Sequence, residues 1–157
     1  MRGFFGIGIE NGKTVENLGT LWRTAHAFGA DFIFTIGGRY HHQPSDTTKA
    51  WRHIPLFHYT TPEDMFSHKP VEIETIGVEI HKAARNLMTF THPERAMYVL
   101  GAEDKGLSPA MLSICSRLVQ IPTSYCINVA VAGSILMYDR TAKRRAAHSM
   151  SISHATR

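Results

Sequence analysis

The apolar residues of this chain fall into short runs separated by longer, mixed stretches. Six runs of four to seven residues, at positions 4–9, 31–36, 56–59, 74–80, 96–100 and 117–121, are mostly apolar and show little alternation with polar residues. Such runs are typical of strands that are buried on both faces of a sheet. Several of the stretches between them are long enough for helices. The pattern therefore predicts an α/β domain with a mainly parallel, six-stranded sheet flanked by helices.

Three helices can be located from the residues at their ends. Residues 17–28 carry apolar side chains at helical spacing and stop at a glycine, which readily adopts the left-handed conformation that ends a helix. Two shorter helices are predicted to begin at Thr61-Pro62 and at Ser108-Pro109. In both cases a hydroxyl can cap the first turn, and proline suits the first helical position.

The segment at residues 118–140 predicts a strand, a polar turn and a further helix. The apolar run ends at Pro122, which has no N–H to donate to a neighbouring strand. Asn128 can cap the helix, and residues 129–137 are apolar or small on every side. We therefore expect this helix to be buried all round and to form, with the turn, the floor of a small-molecule pocket. A plain core strand and helix is the alternative.

Length and composition indicate one domain. The chain has 157 residues, of which 43% are hydrophobic and 19% are charged, as in ordinary soluble proteins. No apolar run is long enough to cross a membrane, and the N-terminus lacks a signal-peptide pattern. Cys115 and Cys126 form no CxxC pair. We expect a domain at residues 1–147, a flexible tail at 148–157, free thiols and a cytoplasmic location.

The charge distribution favours a polyanionic partner. The formal net charge is +4, and much of the positive charge lies in two segments, residues 39–52 and 140–145. In the first segment Arg39, Lys49 and Arg52 are interleaved with aromatic side chains, a mixture that suits phosphates and unstacked bases. An ordinary solvated loop is the alternative for this segment.

The sequence lacks the residues that several common kinds of functional site require. The Gly6-Ile7-Gly8 sequence has no third glycine for a dinucleotide fingerprint, and no GxxxxGK[ST] phosphate loop occurs. The histidines between residues 41 and 58 have no cysteine beside them, so we predict no metal site. Ser134 lies in a predicted helix without a nucleophile elbow, which argues against a hydrolase.

Three segments follow the ends of predicted strands, where open α/β sheets place their sites. The first is NLGTLWRTA at residues 17–25, in which Arg23 has apolar neighbours and needs a phosphate or carboxylate partner. A structural salt bridge is the alternative for that arginine. The second is LGAEDKGL at residues 100–107, whose glycines permit a ligand close to the backbone, although a solvated turn is equally open. The third is the segment at residues 118–140.

Together these segments resemble the SPOUT superfamily, specifically its TrmH-like (SpoU) ribose 2′-O-methyltransferases. The matching motifs are N-x-G-x-x-x-R-x-A at residues 17–25, G-x-E-x-x-G-L at 101–107, and I-P followed by N-V-A-V-A at 121–132. They occur in the expected order and span nearly the whole chain. The resemblance implies a deep trefoil knot near the C-terminus and a homodimer with RNA crossing its interface. It also implies S-adenosylmethionine as cofactor, held by Glu79, Leu100, Gly101, Ile121, Cys126 and Ala130.

The resemblance also implies a mechanism. Arg23 is expected at the ribose 2′-hydroxyl, where it stabilises the developing alkoxide, while Asn17, Glu103 and Asn128 hold the surrounding loops. The predicted RNA contacts are made by Arg39, Lys49, Arg52 and Arg144.

Two features bear on the activity and the substrate. Cys126 stands where relatives often carry serine, which puts proton handling in question. An RNA-binding or cofactor-binding protein without efficient catalysis is therefore the alternative function. The chain lacks the N-terminal RNA-binding extension of many relatives that act on rRNA, so we expect tRNA as the substrate.

Overall fold

The computed structural model describes residues 3–38 and 49–155, which form a parallel sheet between two layers of helices. The strands are β1 (Phe4–Glu10), β2 (Phe32–Ile36), β3 (Leu56–Tyr59), β4 (Glu74–Val78), β5 (Arg85–Asn86), β6 (Arg95–Leu100) and β7 (Arg117–Gln120). The helices are α1 (Val15–Ala27), α2 (Pro62–His68), α3 (Pro109–Ile114) and α4 (Val129–Ala155), with short 3₁₀ helices at Ala50–Arg52 and Leu87–Thr89. Arg39, predicted to contact RNA, lies outside the described residues.

The sheet has the strand order β3-β2-β1-β6-β4-β7-β5, and every described strand pair is parallel. The predicted α/β class and parallel sheet are confirmed, but the predicted number of six strands is wrong. The additional strand is β5, which consists of two exposed residues that pair with the end of β7. Because β5 buries no apolar run, its strand character comes only from backbone pairing, and the hydrophobic pattern could not reveal it.

Each face of the sheet is covered by a pair of helices. Helices α1 and α4 pack on one face, where Trp22 and Leu136 belong to the larger apolar cluster. Helices α2 and α3 pack on the other face, against Phe32 and Phe34. The glycines of β1 serve this packing: a Cβ at Gly6 would lie 2.2 Å from the Phe32 ring. The Gly-Ile-Gly sequence therefore makes room for aromatic side chains.

The ends of the helices follow the residues that predict them. The Thr61 side chain accepts a hydrogen bond from the Asp64 amide, and the Ser108 side chain accepts one from the Met111 amide. Gly29 has the left-handed φ of +69° just beyond α1. Within the described residues, no helix is both long enough and apolar enough to span a membrane.

Helix α4 differs from its prediction in its burial. It is not buried all round, because Val131, Ile135 and Tyr138 are 48%, 38% and 65% exposed. The helix packs on α1 and the sheet along one side only, and no described element covers the other side. On the packed side a Cβ at Gly133 would lie 2.3 Å from Leu21. The backbone is helical as far as Ala155, and the flexible tail at residues 148–157 stays a prediction.

Candidate functional site

A cavity of about 360 Å³ lies at the carboxyl ends of β4, β6 and β7. Its walls come from three segments that are distant in sequence: residues 78–80, residues 100–106, and residues 120–132. The volume falls in the range of small-molecule sites, and the position is the one that open parallel sheets use for their ligands. The strands bring these segments together because parallel strands all end at the same edge of the sheet.

The loop at residues 101–107 forms the middle wall by folding back on itself. The Gly106 amide donates a hydrogen bond of 2.9 Å to the Ala102 carbonyl. A Cβ at Gly101 would lie 2.2 Å from the carbonyl carbon of Gly106, and Gly106 itself has a φ of +65°. The two glycines are therefore required by the closure of the loop itself. The sequence alone suggested a different reason, the close approach of a ligand.

Two carboxylates hold the end of this loop. Glu79 accepts a hydrogen bond of 2.8 Å from the Leu107 amide, and Glu10 accepts one of 2.8 Å from the next amide, that of Ser108. The other oxygen of Glu79 accepts from the Ile80 amide at 2.9 Å. Hydrogen bonds to ionised acceptors are stronger than those between neutral groups. Both oxygens of Glu79 thus fix backbone groups of the cavity wall.

Glu10 is a site residue that the sequence reasoning missed. It ends the apolar strand FFGIGIE and is only 1% exposed. An acid that closes an otherwise apolar strand was the available signal, because a carboxylate is buried only when hydrogen bonds compensate it. Its partners come from Ser108, nearly a hundred residues later in the sequence, so only the folded chain reveals them.

A chain of side-chain hydrogen bonds joins the three motif segments. Asn128 donates to the Asn17 side chain at 2.8 Å, and Asn17 donates to the Glu103 carboxylate at 2.8 Å. Asn128 also caps α4 by accepting from the Ala130 amide at 2.9 Å. Burial alone would raise the pKa of Glu103, but the hydrogen bond from Asn17 and backbone donors outweigh it and lower that pKa. The carboxylate therefore stays ionised as an acceptor at neutral pH.

A second link joins the same two loops at the surface. Lys13 forms an ion pair with Asp104, and the hydrogen bond from Lys13 lowers the pKa of the Asp104 carboxyl. The first turn of α1 and the segment before it are thus attached to the cavity loop at one point each, Asn17 and Lys13. Exposed pairs of this kind are individually weak. Their consequence is geometric, since they align the start of α1 with the cavity wall.

Arg23 lies away from the cavity walls on the exposed side of α1. It is six residues beyond Asn17, which corresponds to about 9 Å along the helix axis. Among the described residues no hydrogen bond or ion pair involves the Arg23 side chain, so the alternative of a structural salt bridge does not describe it. One turn later, the His26 ring packs edge-on against His53 at 4.7 Å.

The predicted cofactor residues fall into two groups. Glu79, Leu100, Gly101, Ile121 and Cys126 line the cavity. Ala130 is 2% exposed and packs in the core behind the wall. Its neighbours at 129 and 132 face the cavity instead, because residues three apart share a helix face and 130 turns toward the sheet. Nothing in the apolar stretch at residues 129–137 distinguishes these positions from one another.

The two cysteines sit in different environments, and neither forms a disulfide. Cys126 is exposed at the cavity. Cys115 is partly buried, and burial raises the pKa of its thiol to about 12, with the Glu10 charge adding to the effect. Cys126 is therefore the thiol that a ligand in the cavity can contact.

The predicted RNA-binding residues also separate. Lys49 and Arg52 are exposed, and the Arg52 guanidinium lies 4.9 Å from the centre of the Trp51 ring. Arg144 lies at the opposite, amino edge of the sheet and pairs with Glu94 at 3.8 Å. Within the described chain, no group of three or more His, Cys, Asp or Glu side chains is arranged to hold a metal ion.

The basic segment at residues 140–145 is not the free charged surface that its sequence suggested. Arg140 is 1% exposed and donates hydrogen bonds to the carbonyls of residues 93 and 94. Lys143 donates to two further carbonyls, those of Leu87 and Phe90. These cations hold α4 against the segment before β6, because buried carbonyls need donors.

Comparison with known proteins gives the family and its relatives. A sequence profile described as the SpoU rRNA Methylase family matches residues 5–138. The chain is 29% identical over 136 residues to the tRNA (guanosine(18)-2′-O)-methyltransferase TARBP1 of Mus musculus, a match that covers 80% of this chain and 8% of that protein. The motifs at residues 17–25, 101–107 and 121–132 lie within the matched region.

Solved structures share the fold. The SpoU methyltransferase AviRb of Streptomyces viridochromogenes superposes with a TM-score of 0.80 at 21% identity, covering 92% of this chain and 61% of that one. The A. aeolicus TrmH/SpoU tRNA modifying enzyme gives a TM-score of 0.81 at 19% identity, covering 94% and 78%. The chain spans less than two thirds of the length of TARBP1 and of AviRb. Because the family profile covers most of the sequence, the chain belongs to the SpoU rRNA methylase family, as its motifs predicted.

Proposed function

We propose that this chain is an S-adenosylmethionine-dependent RNA 2′-O-methyltransferase that acts on tRNA. The observation that carries the proposal is the convergence of three family motifs on one cavity, through the hydrogen bonds that link Asn128, Asn17 and Glu103. Two relatives support the cofactor and the substrate class. AviRb has a structure in complex with AdoMet, which is S-adenosylmethionine, and TARBP1 is named for methylating guanosine 18 of tRNA.

The residues of the cavity fit this cofactor. Leu100, Ile121 and Val129 supply apolar wall for a purine, and the loop at residues 101–106 supplies polar backbone and charged side chains. A mostly apolar cavity with a few polar groups is the usual design of a site for a ligand of this size. When bound, the cofactor supplies a sulfonium methyl group that is already activated for transfer.

The chain itself must orient the ribose hydroxyl and stabilise the charge that develops on it. Arg23 performs the second task, since its exposed guanidinium is committed to no described residue. Arginine stays protonated in proteins, so it acts by stabilising the alkoxide while the proton leaves to a phosphate oxygen or to water. Asn17, Glu103 and Asn128 align α1 with the cavity and thereby set the position of Arg23.

RNA reaches Arg23 along a basic and aromatic surface beside α1. The Arg52 guanidinium lies over the Trp51 ring, and Lys49 precedes the same 3₁₀ helix. The contact between His26 and His53, the residue that follows this helix, ties the segment to α1. Guanidinium groups bind phosphates, and aromatic rings stack on unpaired bases. Lys49 and Arg52 are therefore the described residues of the proposed RNA path. Arg144 is a weaker candidate because it lies at the other edge of the sheet and is already paired.

Loss of activity without loss of cofactor binding tests the role of Arg23. We expect Arg23→Ala to reduce tritiated methyl transfer into total tRNA about 100-fold. Its affinity for S-adenosylhomocysteine should stay within about twofold of the original protein. Arg95→Ala, at the amino edge of the sheet, should keep both properties. If Arg23→Ala binds the cofactor and transfers methyl groups at an unchanged rate, the assigned role of Arg23 is refuted. If the original protein labels rRNA as strongly as tRNA, the preference for tRNA is refuted.

The uncovered side of α4 supports a homodimer. Val131, Ile135 and Tyr138 form an exposed apolar stripe, and Ile127 and Ile80 continue it to the rim of the cavity at 37% and 54% exposure. A contiguous apolar stripe of this kind marks an interaction surface. Self-association is the proposed use because the stripe begins beside the site that RNA must reach.

Sedimentation of charged variants tests the dimer. Val131→Glu together with Ile135→Glu should produce a monomer, because two carboxylates cannot be buried in an apolar interface. Phe66→Glu alters an equally exposed apolar residue on α2 and should leave the dimer intact. A monomeric original protein, or dissociation by Phe66→Glu alone, contradicts the proposal.

The resemblance to SPOUT enzymes further suggests a knotted C-terminus. After β7 the chain crosses the carboxyl edge, passes the loop at residues 101–107, and continues into α4, which packs against α1. This path supports the proposal that the last segment threads through a preceding loop. A crystal structure in which the last segment does not pass through a preceding loop would overturn this proposal.

A further inference from the structure

We propose that Lys105 binds the carboxylate at the amino-acid end of the cofactor. This inference rests on the proposed function and specifies how the ligand lies in the cavity. It begins with the charges on the cavity walls, where four described residues carry side chains that are charged at neutral pH: Glu79, Glu103, Asp104 and Lys105. Three are acidic and one is basic, so the walls would at first sight suit a cationic ligand.

The three acids are already committed to partners in the protein. Both oxygens of Glu79 accept backbone N–H groups, and Glu103 accepts from Asn17. Asp104 is paired with Lys13. Each carboxylate thus already has a hydrogen-bond or ion-pair partner in the protein before any ligand enters.

Lys105 differs from these acids. It is exposed and has no hydrogen bond or ion pair with any described residue. Its neighbour in the loop, Asp104, has Lys13 as its ion-pair partner, and the charge of Lys105 is the smallest of the effects that lower the pKa of the Asp104 carboxyl. The lysine is therefore the uncommitted charge of the described wall, and a long side chain can reach a ligand without a change in the backbone.

An uncommitted cation selects the anionic part of a ligand. In S-adenosylmethionine and its demethylated product, the carboxylate is the anionic group, and the nucleoside half carries none. The apolar residues at 121 and 129 line the same cavity on a segment separate from the charged loop, and they offer a place for the purine. The wall charges therefore orient the amino-acid end toward residues 103–105.

The expected contribution is modest because the pair is exposed to solvent. Exposed ion pairs are individually weak, and a charge-assisted hydrogen bond adds to their contribution. We expect removal of the charge to weaken binding about three- to tenfold.

Calorimetry with two ligands tests this inference. S-adenosylhomocysteine carries the carboxylate, whereas 5′-methylthioadenosine retains the nucleoside and the sulfur but has no amino-acid end. Lys105→Met should bind the first ligand three- to tenfold more weakly and the second ligand unchanged. Lys105→Arg should restore most of the loss because it keeps the charge. Lys69→Met, which removes a lysine on the far side of the fold, should change neither affinity.

The possible outcomes separate the inference from the proposed function. Equal weakening for both ligands shows that Lys105→Met damages the cavity in general and overturns the inference. Unchanged affinity of Lys105→Met for S-adenosylhomocysteine overturns the inference as well. If this variant at the same time binds tRNA more weakly, the lysine is an RNA contact and the inference is equally overturned. If the original protein binds neither ligand, the proposed function itself fails.

Discussion

The two ends of β6 carry polar clusters of opposite character. At its carboxyl end, Asn17, Glu103 and Asn128 connect loops at the rim of a cavity, and none of them is buried. At its amino end, Arg140 and the His92 side chain are each 1% exposed. Both clusters tie α4 to the rest of the fold, and the difference between them is access to solvent.

The amino-end cluster is fully connected. His92 donates from Nε2 to Asp139 at 2.8 Å and accepts at Nδ1 from the Tyr98 hydroxyl at 2.7 Å. This tautomer follows from the Asp139 carboxylate, which can only accept. Arg140 donates to the Tyr98 oxygen at 3.0 Å. Burial raises the pKa of Tyr98 to about 12 and lowers that of His92 to about 4.

This difference separates stability from function. A buried polar network is costly to disturb, because each lost partner leaves another group unsatisfied. An exposed network is cheaper to disturb, since water replaces a lost partner, and it remains available to a ligand. We therefore expect changes at the amino edge to unfold the protein and changes at the carboxyl edge to alter binding and transfer.

The largest effect is expected from Arg140→Met. The change leaves the carbonyls of residues 93 and 94 and the Tyr98 hydroxyl without their donor, at a cost of about 3–5 kcal/mol in unfolding free energy. Urea denaturation measures this loss. Arg145→Met, on the exposed side of α4, should change stability by less than about 0.5 kcal/mol. An equally small change in unfolding free energy for Arg140→Met would contradict the expectation that changes at the amino edge unfold the protein.

The next largest effect is the loss of stability in acid. The pKa of His92 is about 4 in the folded protein and 6.5 in the unfolded chain. Between these pH values the unfolded chain binds the additional proton, so stability falls as the pH decreases. The shift corresponds to about 3 kcal/mol. Denaturation at several pH values should show a shallower slope for His92→Gln, whose amide can still pair with both neighbours. An unchanged slope contradicts the prediction.

At the carboxyl edge, Glu79→Gln should affect binding more than stability. A glutamine has one acceptor oxygen for two backbone N–H groups, and its NH₂ group faces the other donor. We expect a loss of about 1–2 kcal/mol in stability and at least tenfold in affinity for S-adenosylhomocysteine, because the loop at residues 101–107 loses its support. Glu63→Gln, exposed on α2, is the matched control. Intact affinity would show that the loop needs no such support.

Asn17→Ala should have a smaller effect on stability and a selective one on transfer. Its hydrogen bonds lie near solvent, so we expect a cost below about 1 kcal/mol. Methyl transfer should fall about tenfold, since α1 and Arg23 lose their alignment with the cavity. Measuring single-turnover transfer and the affinity for S-adenosylhomocysteine separates an effect on transfer from an effect on ligand binding. Equal loss in both quantities would place Asn17 in ligand binding instead.

The smallest effect is expected from Cys126→Ser. The side chain lies at the cavity, and serine keeps a polar group of similar size there. Affinity for S-adenosylhomocysteine should stay within about twofold, and transfer should change no more than about threefold. A larger gain in transfer would show that the hydroxyl found in relatives handles the proton and that the thiol replaces it poorly.

The sequence alone determined the class of the fold and the family. Runs that are apolar on both faces require a buried parallel sheet, and Thr61, Ser108, Asn128 and Gly29 mark helix ends through local hydrogen bonds and backbone conformation. These features depend on neighbours in sequence, so they can be read from it. The three motifs identify the family for the same reason, because each is a local pattern.

Only the tertiary structure decided which polar residues meet and which are buried. Glu10 and Ser108, and Asn17 and Glu103, are far apart in sequence and meet because parallel strands end at one edge of the sheet. Arg140 resembles a solvated basic residue in the sequence, yet the packing of α4 buries it. Such pairings depend on the relative placement of whole elements, and no local pattern of residues encodes that placement.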